Sequence, residues 1–215
     1  MTPWNFLQAP VGSQPERSVP RRRYSARFEN IDVVNQFGES FRFRDDLVAD
    51  RMVVINTMYT TCRGSCPTTG TVLMKLRRDL TDLFGSRIAL VSMTLEPEVD
   101  SIAVMRRYSQ DFGAGQRRDD LCPWHFVTGQ PHAMDRLRRS LDFFDLDPRV
   151  DQDLSQHDAT LLFGNDQSDR WANLPAAVRY GQLLATIRRI VGESFEVRYG
   201  ITGEVKPGSR CCCHL

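Results

Sequence analysis

The stretch Val53-Val54-Ile55-Asn56-Thr57-Met58-Tyr59-Thr60-Thr61-Cys62-Arg63-Gly64-Ser65-Cys66-Pro67 decides how the rest of the chain is read. Together with Met52, its opening residues form a continuous apolar run, the pattern of a strand buried on both faces. Beyond Pro67, the residues Val72, Leu73, Leu76, Leu80, Leu83 and Phe84 recur at the spacing of a helix with one buried face. The two cysteines therefore stand where a central strand gives way to a helix, the rim on which α/β sheets bind ligands. Pro67 fits a first-turn position, where no amide hydrogen is required. A helix N-terminus favours a thiolate, and Arg63 would act the same way if its side chain turned toward the sulfurs.

Working outward, strands and helices alternate. Upstream, Asp32-Val33-Val34 and Phe41-Arg42-Phe43 flank Asn35-Gln36-Phe37-Gly38-Glu39 and predict a hairpin. Downstream, Ile88 to Met93 predicts a second buried strand, and Ile102, Met105, Tyr108 and Phe112 mark a helix after an acidic, proline-containing stretch. Trp124 to Thr128 reads as a strand, and Pro131 starts a helix that turns Met134, Leu137 and Leu141 inward. Ala159 to Phe163 and Arg170-Trp171 predict a hairpin around Gly164-Asn165-Asp166. A last helix follows Pro175, with Val178, Leu184, Ile187 and Val191 on its apolar face. This order predicts an α/β protein of thioredoxin-like fold, a central mixed sheet flanked by helices with an N-terminal β-hairpin. Residues 1–27 are expected to be a poorly ordered lead-in, 28–192 the folded domain and 193–215 a tail. Arg21-Arg22-Arg23 reads as a solvated basic patch.

Composition narrows the partners. The 215 residues carry 28 Lys and Arg against 27 Asp and Glu, so no global charge draws the chain to nucleic acid or to a lipid surface. With 41% hydrophobic and 26% charged residues it has the make-up of a water-soluble globular protein, with no stretch approaching a membrane span. The first residues lack the apolar core of a signal peptide. That start fits either a cytoplasmic protein or one whose export signal or anchor lies outside this sequence.

Six cysteines in three clusters do not form a disulfide scaffold: Cys62 and Cys66, Cys122 alone, and Cys211-Cys212-Cys213 at the tail. If the turn between Cys62 and Cys66 is helical, both sulfurs share a face and can meet one ion. They could equally close a disulfide. Soft thiolates select copper(I), zinc or iron–sulfur centres, and imidazole completes copper and zinc sites alike. Of the four histidines, His125 falls within a strand, His132 in the first turn of a helix and His214 in the tail. His157 differs, because it ends the polar loop from Asp151 to Gln156 and precedes the apolar strand from Ala159. In a thioredoxin-like sheet that loop approaches the cysteine rim. Cys122, beside Pro123 at a strand start, reads as a structural or incidental thiol, and Cys211-Cys212-Cys213-His214 as an unstructured, oxidation-prone end or, alternatively, a set of soft ligands for copper or zinc.

Cys62-x-x-x-Cys66-Pro67 after an apolar strand, Leu95-Glu96-Pro97-Glu98-x-Asp100, Tyr108, Trp124-His125-Phe126-Val127-Thr128-Gly129 and His157 together resemble the Sco/SenC family from about Phe28 to Gly192. The resemblance implies a copper-binding thioredoxin-like domain in which Cys62, Cys66 and His157 ligate Cu(I) or Cu(II). It implies a metallochaperone that delivers copper to, or helps mature, the copper A site of cytochrome c oxidase. The partner would be a copper-accepting oxidase subunit, and the domain a monomer without membrane contact of its own. It also implies a periplasmic or membrane-tethered domain facing an extracytoplasmic compartment. The family commonly has Asp-Pro where this chain has Glu96-Pro97, which keeps the acidic charge. The alternative is a thiol–disulfide oxidoreductase in which Cys62 and Cys66 are the redox-active pair. No peroxiredoxin or glutathione-peroxidase motif is present.

Overall fold

Strand β3 (Met52–Met58) pairs in parallel with β4 (Ile88–Thr94), and every residue of both is buried. This is the consequence of two unbroken apolar runs with helices packed on both faces. The computed structural model describes residues 22–156 and 159–192. Around the central pair lie the hairpin β1 (Asp32–Asn35) and β2 (Ser40–Arg42), strand β5 (Trp124–Thr128), and the pair β6 (Thr160–Asn165) and β7 (Arg170–Pro175). They form one mixed seven-stranded sheet in the order β2-β1-β5-β4-β3-β6-β7. Strands β3, β4 and β5 run parallel, while β1 joins β5, and β6 joins β3, antiparallel. The mixed sheet with helices on both faces and the N-terminal hairpin match the architecture expected from the sequence. At the hairpin turn Gly38 takes φ +83°, and its amide donates to the Asn35 carbonyl at 3.0 Å.

The helices divide between the faces according to the side chains of β3. Met52, Val54 and Met58 pack with α1 (Ser65–Phe84), with Met105 of α2 (Ile102–Gln110) and with α5 (Tyr180–Val191). Val53 and Ile55 pack on the other face with Met134, Leu137 and Leu141 of the α3 region (Pro131–Ser140) and with the helical turn Phe43–Val48. Helix α1 places Leu73, Leu76 and Leu80 in the first of these cores, as its periodicity predicts. Cutting a fully buried leucine such as Leu76 back to alanine costs about 2–5 kcal/mol in comparable cores.

The structure departs from the sequence reading in several places. In α5 the fully buried leucine is Leu183, and Leu184 is only partly covered. Phe43 opens the helical turn instead of closing β2, and α2 ends before Phe112, which remains buried. A short helix α4 (Pro148–Asp151) interrupts what read as loop. Packing also begins before Phe28. Arg23 pairs with Asp50 at 2.7 Å and Asp166 at 2.9 Å, and buried Ser25 donates to Asp166. Arg23 is thus a clasp between the chain start and the β6–β7 turn, whereas Arg21 lies outside the described residues.

Gly164 faces Trp171 directly across the β6–β7 pair. A Cβ added there would fall 2.4 Å from the indole and 2.7 Å from the Arg170 carbonyl oxygen. Gly164→Ala is therefore expected to cost about 1–3 kcal/mol, seen as a lower urea midpoint at unchanged slope. An unchanged midpoint would show that β7 can retreat without loss.

Candidate metal centre

Strand β3 ends at Met58, and the chain then turns through Tyr59, Thr60 and Thr61 to Cys62 before α1 begins at Ser65. Cys66 thus sits in the first turn of α1 while Cys62 precedes the helix. The helical turn that would have aligned the two sulfurs is not what joins them. A reverse turn ahead of Cys62, closed by its amide donating to the Tyr59 carbonyl at 3.2 Å, sets that residue beside the start of α1. Gly64 lies between, with its Cβ position 4.0 Å from Cys62 Sγ. Cys62 and Cys66 are free thiols, both buried, and they hydrogen-bond to each other.

The two thiols are unequal. Burial opposes ionisation of Cys62, but the Cys66 thiol and the amides of Cys66 and Gly64 stabilise its thiolate, and its pKa falls below the ordinary thiol value. Burial, reinforced by the neighbouring Cys62, pushes Cys66 upward. Arg63 is exposed and is not among the groups that set the Cys62 value.

The turn is fastened from the neighbouring strand. Asp100 is fully buried and accepts from the Thr60 amide at 3.2 Å, the Thr60 hydroxyl at 2.5 Å and the Thr94 hydroxyl at 2.5 Å. Thr61 Oγ1 donates to Glu96 at 2.6 Å. Leu95-Glu96-Pro97-Glu98-x-Asp100 is thus the brace of the cysteine turn, a role its spacing in the sequence does not announce. Tyr108 lies half-buried nearby, and burial together with the proximity of Cys66 and Cys62 raises its phenol. Tyr59 was also not singled out by sequence. Its hydroxyl donates to the Leu154 carbonyl at 3.1 Å and so ties the cysteine turn to the segment that leads toward His157.

His157 itself lies outside the described residues, as do Cys211, Cys212, Cys213 and His214. Its flanks return to the sheet at the end where β3 leaves it, since Leu161 pairs with Asn56 and the Ala159 carbonyl accepts from Ala176 at 2.7 Å. Among the described residues no group of three or more His, Cys, Asp or Glu side chains is arranged to hold a metal ion. His132 is exposed on α3. Cys122 is buried at the start of β5, at the opposite end of the sheet, with its sulfur 3.6 Å from the Arg77 carbonyl. His125 points away from the thiols, edge-on to Phe41 with ring centroids 5.2 Å apart.

A thioredoxin-like sheet with a buried dithiol at a strand–helix rim defines the class. The sequence profile of the SCO1/SenC family matches residues 20–192. The chain belongs to the SCO1/SenC family. Solved structures share the fold. A SCO1/SenC family lipoprotein from Bacillus anthracis is 18% identical, with a TM-score of 0.59 over 76% of this chain and 94% of that one. ScoI from Bradyrhizobium japonicum, solved with copper bound, is 18% identical, with a TM-score of 0.56 over 74% and 96%. BsSco, a Sco-family cytochrome c oxidase assembly protein in which a disulfide switch was identified, is 15% identical, with a TM-score of 0.57 over 75% and 92%. No curated protein matches the chain in sequence. Among the described residues no helix is long and apolar enough to cross a membrane.

Two outcomes follow from these contacts. Asp100→Ala strips the acceptor from the Thr60 and Thr94 groups and should cost on the order of 2–4 kcal/mol in a denaturant titration; an unshifted midpoint would show that the turn holds without the carboxylate. His125 has its pKa lowered by burial from 6.5 to about 4, with Arg51, Arg77 and Arg117 acting in the same direction and Glu39 opposing. The unfolded chain takes up this proton first. The contribution of neutral His125 is therefore complete above pH 6.5 and is lost as pH falls through that window toward 4, by up to about 3 kcal/mol. Melts of the parent and His125→Gln across the same range check this, since only the parent should lose the histidine's share.

Proposed function

We propose that the chain binds one copper ion through Cys62, Cys66 and His157 and passes it to an acceptor in cytochrome c oxidase assembly. The observation that carries the reading is the contact of two buried thiols at a rim to which Tyr59 also ties the Leu154 segment. Membership of the SCO1/SenC family, the copper-bound ScoI of Bradyrhizobium japonicum and the assembly role of BsSco support copper as the cargo and an oxidase-assembly protein as the acceptor. The donor set suits that cargo, because thiolate holds copper(I) and imidazole adds the nitrogen that copper(II) prefers. Cys62, with its lowered pKa, is the first thiolate offered, and Cys66 loses its proton as the ion arrives. With three protein ligands, a coordination position stays open for an incoming thiolate of the acceptor. The setting would be extracytoplasmic, on a tethered domain like the Bacillus anthracis lipoprotein.

A second reading rests on the inequality of the two thiols. As a reductase, the Cys62 thiolate attacks a partner disulfide, forming a mixed disulfide and releasing one partner thiolate. Cys66 then displaces the second partner thiol and closes Cys62–Cys66, which an external dithiol must reduce again.

His157→Ala separates the two. Copper(II) affinity, followed by sulfur-to-metal charge-transfer absorption, should fall roughly tenfold or more, about 1.4 kcal/mol. Copper(I) binding and reduction of a model disulfide should survive, since neither requires the imidazole. Intact copper(II) binding would remove His157 from the site. Parallel loss of copper(II) binding and disulfide reduction in a folded variant would favour the reductase. The same titration on a chain ending before Cys211 should give the same affinity; loss there would move the metal to the tail.

A further inference from the structure

The end of the sheet opposite the cysteines holds a cavity of about 370 Å³ beside the starts of β4 and β5 and the hairpin turn, lined by Arg51, Arg77, Arg117, His125, Phe37 and Phe41. Two of its cations, Arg77 and Arg51, have no carboxylate partner among the described residues. Arg77 reaches in from α1 with 4% of its surface exposed, donating from Nε to the Cys122 carbonyl at 2.8 Å and from Nη1 to the Gly113 carbonyl at 3.1 Å. Among the described residues it forms no ion pair and its Nη2 has no hydrogen-bond partner. A guanidinium so deeply buried ordinarily meets an anion. Arg51, exposed at the entry to β3, also forms no ion pair among the described residues.

None of the carboxylates at the cavity is ion-paired with Arg51 or Arg77. Glu39 takes Arg117 on Oε1 at 2.6 Å and Asn35 Nδ2 on Oε2 at 2.7 Å. Asp46 accepts the Arg42 amide at 2.6 Å, and Asp119 is exposed. The imidazole is a fixed donor. Asn35 Oδ1 accepts from the Phe37 and Glu39 amides at 2.9 and 3.0 Å, which leaves Nδ2 to face Glu39 and His125. The contact of 3.3 Å from Asn35 Nδ2 to His125 Nδ1 makes Nδ1 the acceptor. The neutral ring therefore carries its hydrogen on Nε2.

We propose that this cavity is a binding site for a small organic anion, a carboxylate or phosphate on a flat apolar body. The head group would meet Arg51, Arg77 and His125, and the body would lie against Phe37 and Phe41. The volume is that of a small-molecule site, with a few convergent donors beside aromatic walls. Planar guanidinium groups suit both head groups. Nothing in this assignment depends on copper, which would be bound at the other end of the sheet.

Calorimetric titration of the full chain with benzoate, phenyl phosphate and inorganic phosphate, at ionic strength held constant with chloride, tests it. Saturable one-to-one binding of benzoate or phenyl phosphate is expected, and the tighter of the two identifies the head group. Arg51→Ala and His125→Gln should each weaken it at least fivefold, and Cys62→Ser should leave it unchanged. Arg77→Met strips two carbonyls of their donor at a buried position and endangers the fold, so exposed Arg51 carries the test. Absence of saturable binding by either aromatic anion, or equal binding by the folded Arg51→Ala variant, would overturn the site. Inorganic phosphate binding as tightly as phenyl phosphate would overturn the role given to Phe37 and Phe41.

Discussion

Asp100 has no solvent access, and much of the site's geometry follows from how its carboxylate is satisfied. A buried carboxylate is tolerated only where donors converge on it. Here they come from the ends of two neighbouring strands: Thr60 just beyond β3 and Thr94, the last residue of β4. The strands are parallel, so both lie at one end of the sheet, and the Leu95 amide continues the pairing by donating to the Met58 carbonyl at 2.8 Å. A single side chain can therefore bridge them. With Thr60 held by Asp100 and Thr61 by Glu96, the chain reaches Cys62 in a fixed direction, and Cys66 follows in the first turn of α1.

This arrangement accounts for the inequality of two thiols that are neighbours and both buried. Desolvation acts against ionisation at each of them. Cys62 receives the Cys66 thiol and the amides of Cys66 and Gly64 at the positive end of α1, and together these outweigh the desolvation. Once Cys62 is the better thiolate, Cys66 bears both burial and a negative neighbour. Copper capture and disulfide exchange each begin with one available thiolate and end with the second, so the same asymmetry serves either chemistry. The pair of thiols alone does not choose between them. A third ligand would, which gives the tether from Tyr59 to Leu154 its importance.

The sheet was legible in the sequence because its central strands are encoded locally. The apolar runs at Met52–Asn56 and Ile88–Met93 have the length of buried strands, and the spacing after Pro67 is that of a helix with one buried face. What escaped was held by contacts between residues distant in sequence. Helix α4 is polar and four residues long, and it persists because Asp147 caps Arg149 while Asp151 pairs with Arg138 and Arg139. Leu183 and Leu184 are adjacent, and only the pitch at which α5 meets β6 and β7 decides which one is buried. The two cysteines were legible as a site from their spacing and setting. The helical turn expected to align them was not the means, because Gly64 caps the helix and leaves Cys62 outside it. Asp100 and Tyr59 act through partners that no periodicity links to them.

A polar thread through the sheet fixes the register on which all of this rests. Asn56 on β3 accepts from Ser92 Oγ on β4 at 2.7 Å, and Ser92 Oγ accepts from Trp124 Nε1 on β5 at 2.9 Å. Asn56 and Ser92 are also partners in the parallel pairing. Apolar strands such as these can slide past one another with modest loss, because one valine replaces another in the core. Shifting β4 by one residue would turn Ser92 to the opposite face and leave Asn56 Oδ1 and Trp124 Nε1 without partners in a dry interior. The same slip would separate Thr94 from Thr60 and leave Asp100 unable to reach both. Three polar groups buried beneath an apolar sheet thereby set the position of the cysteine turn above it.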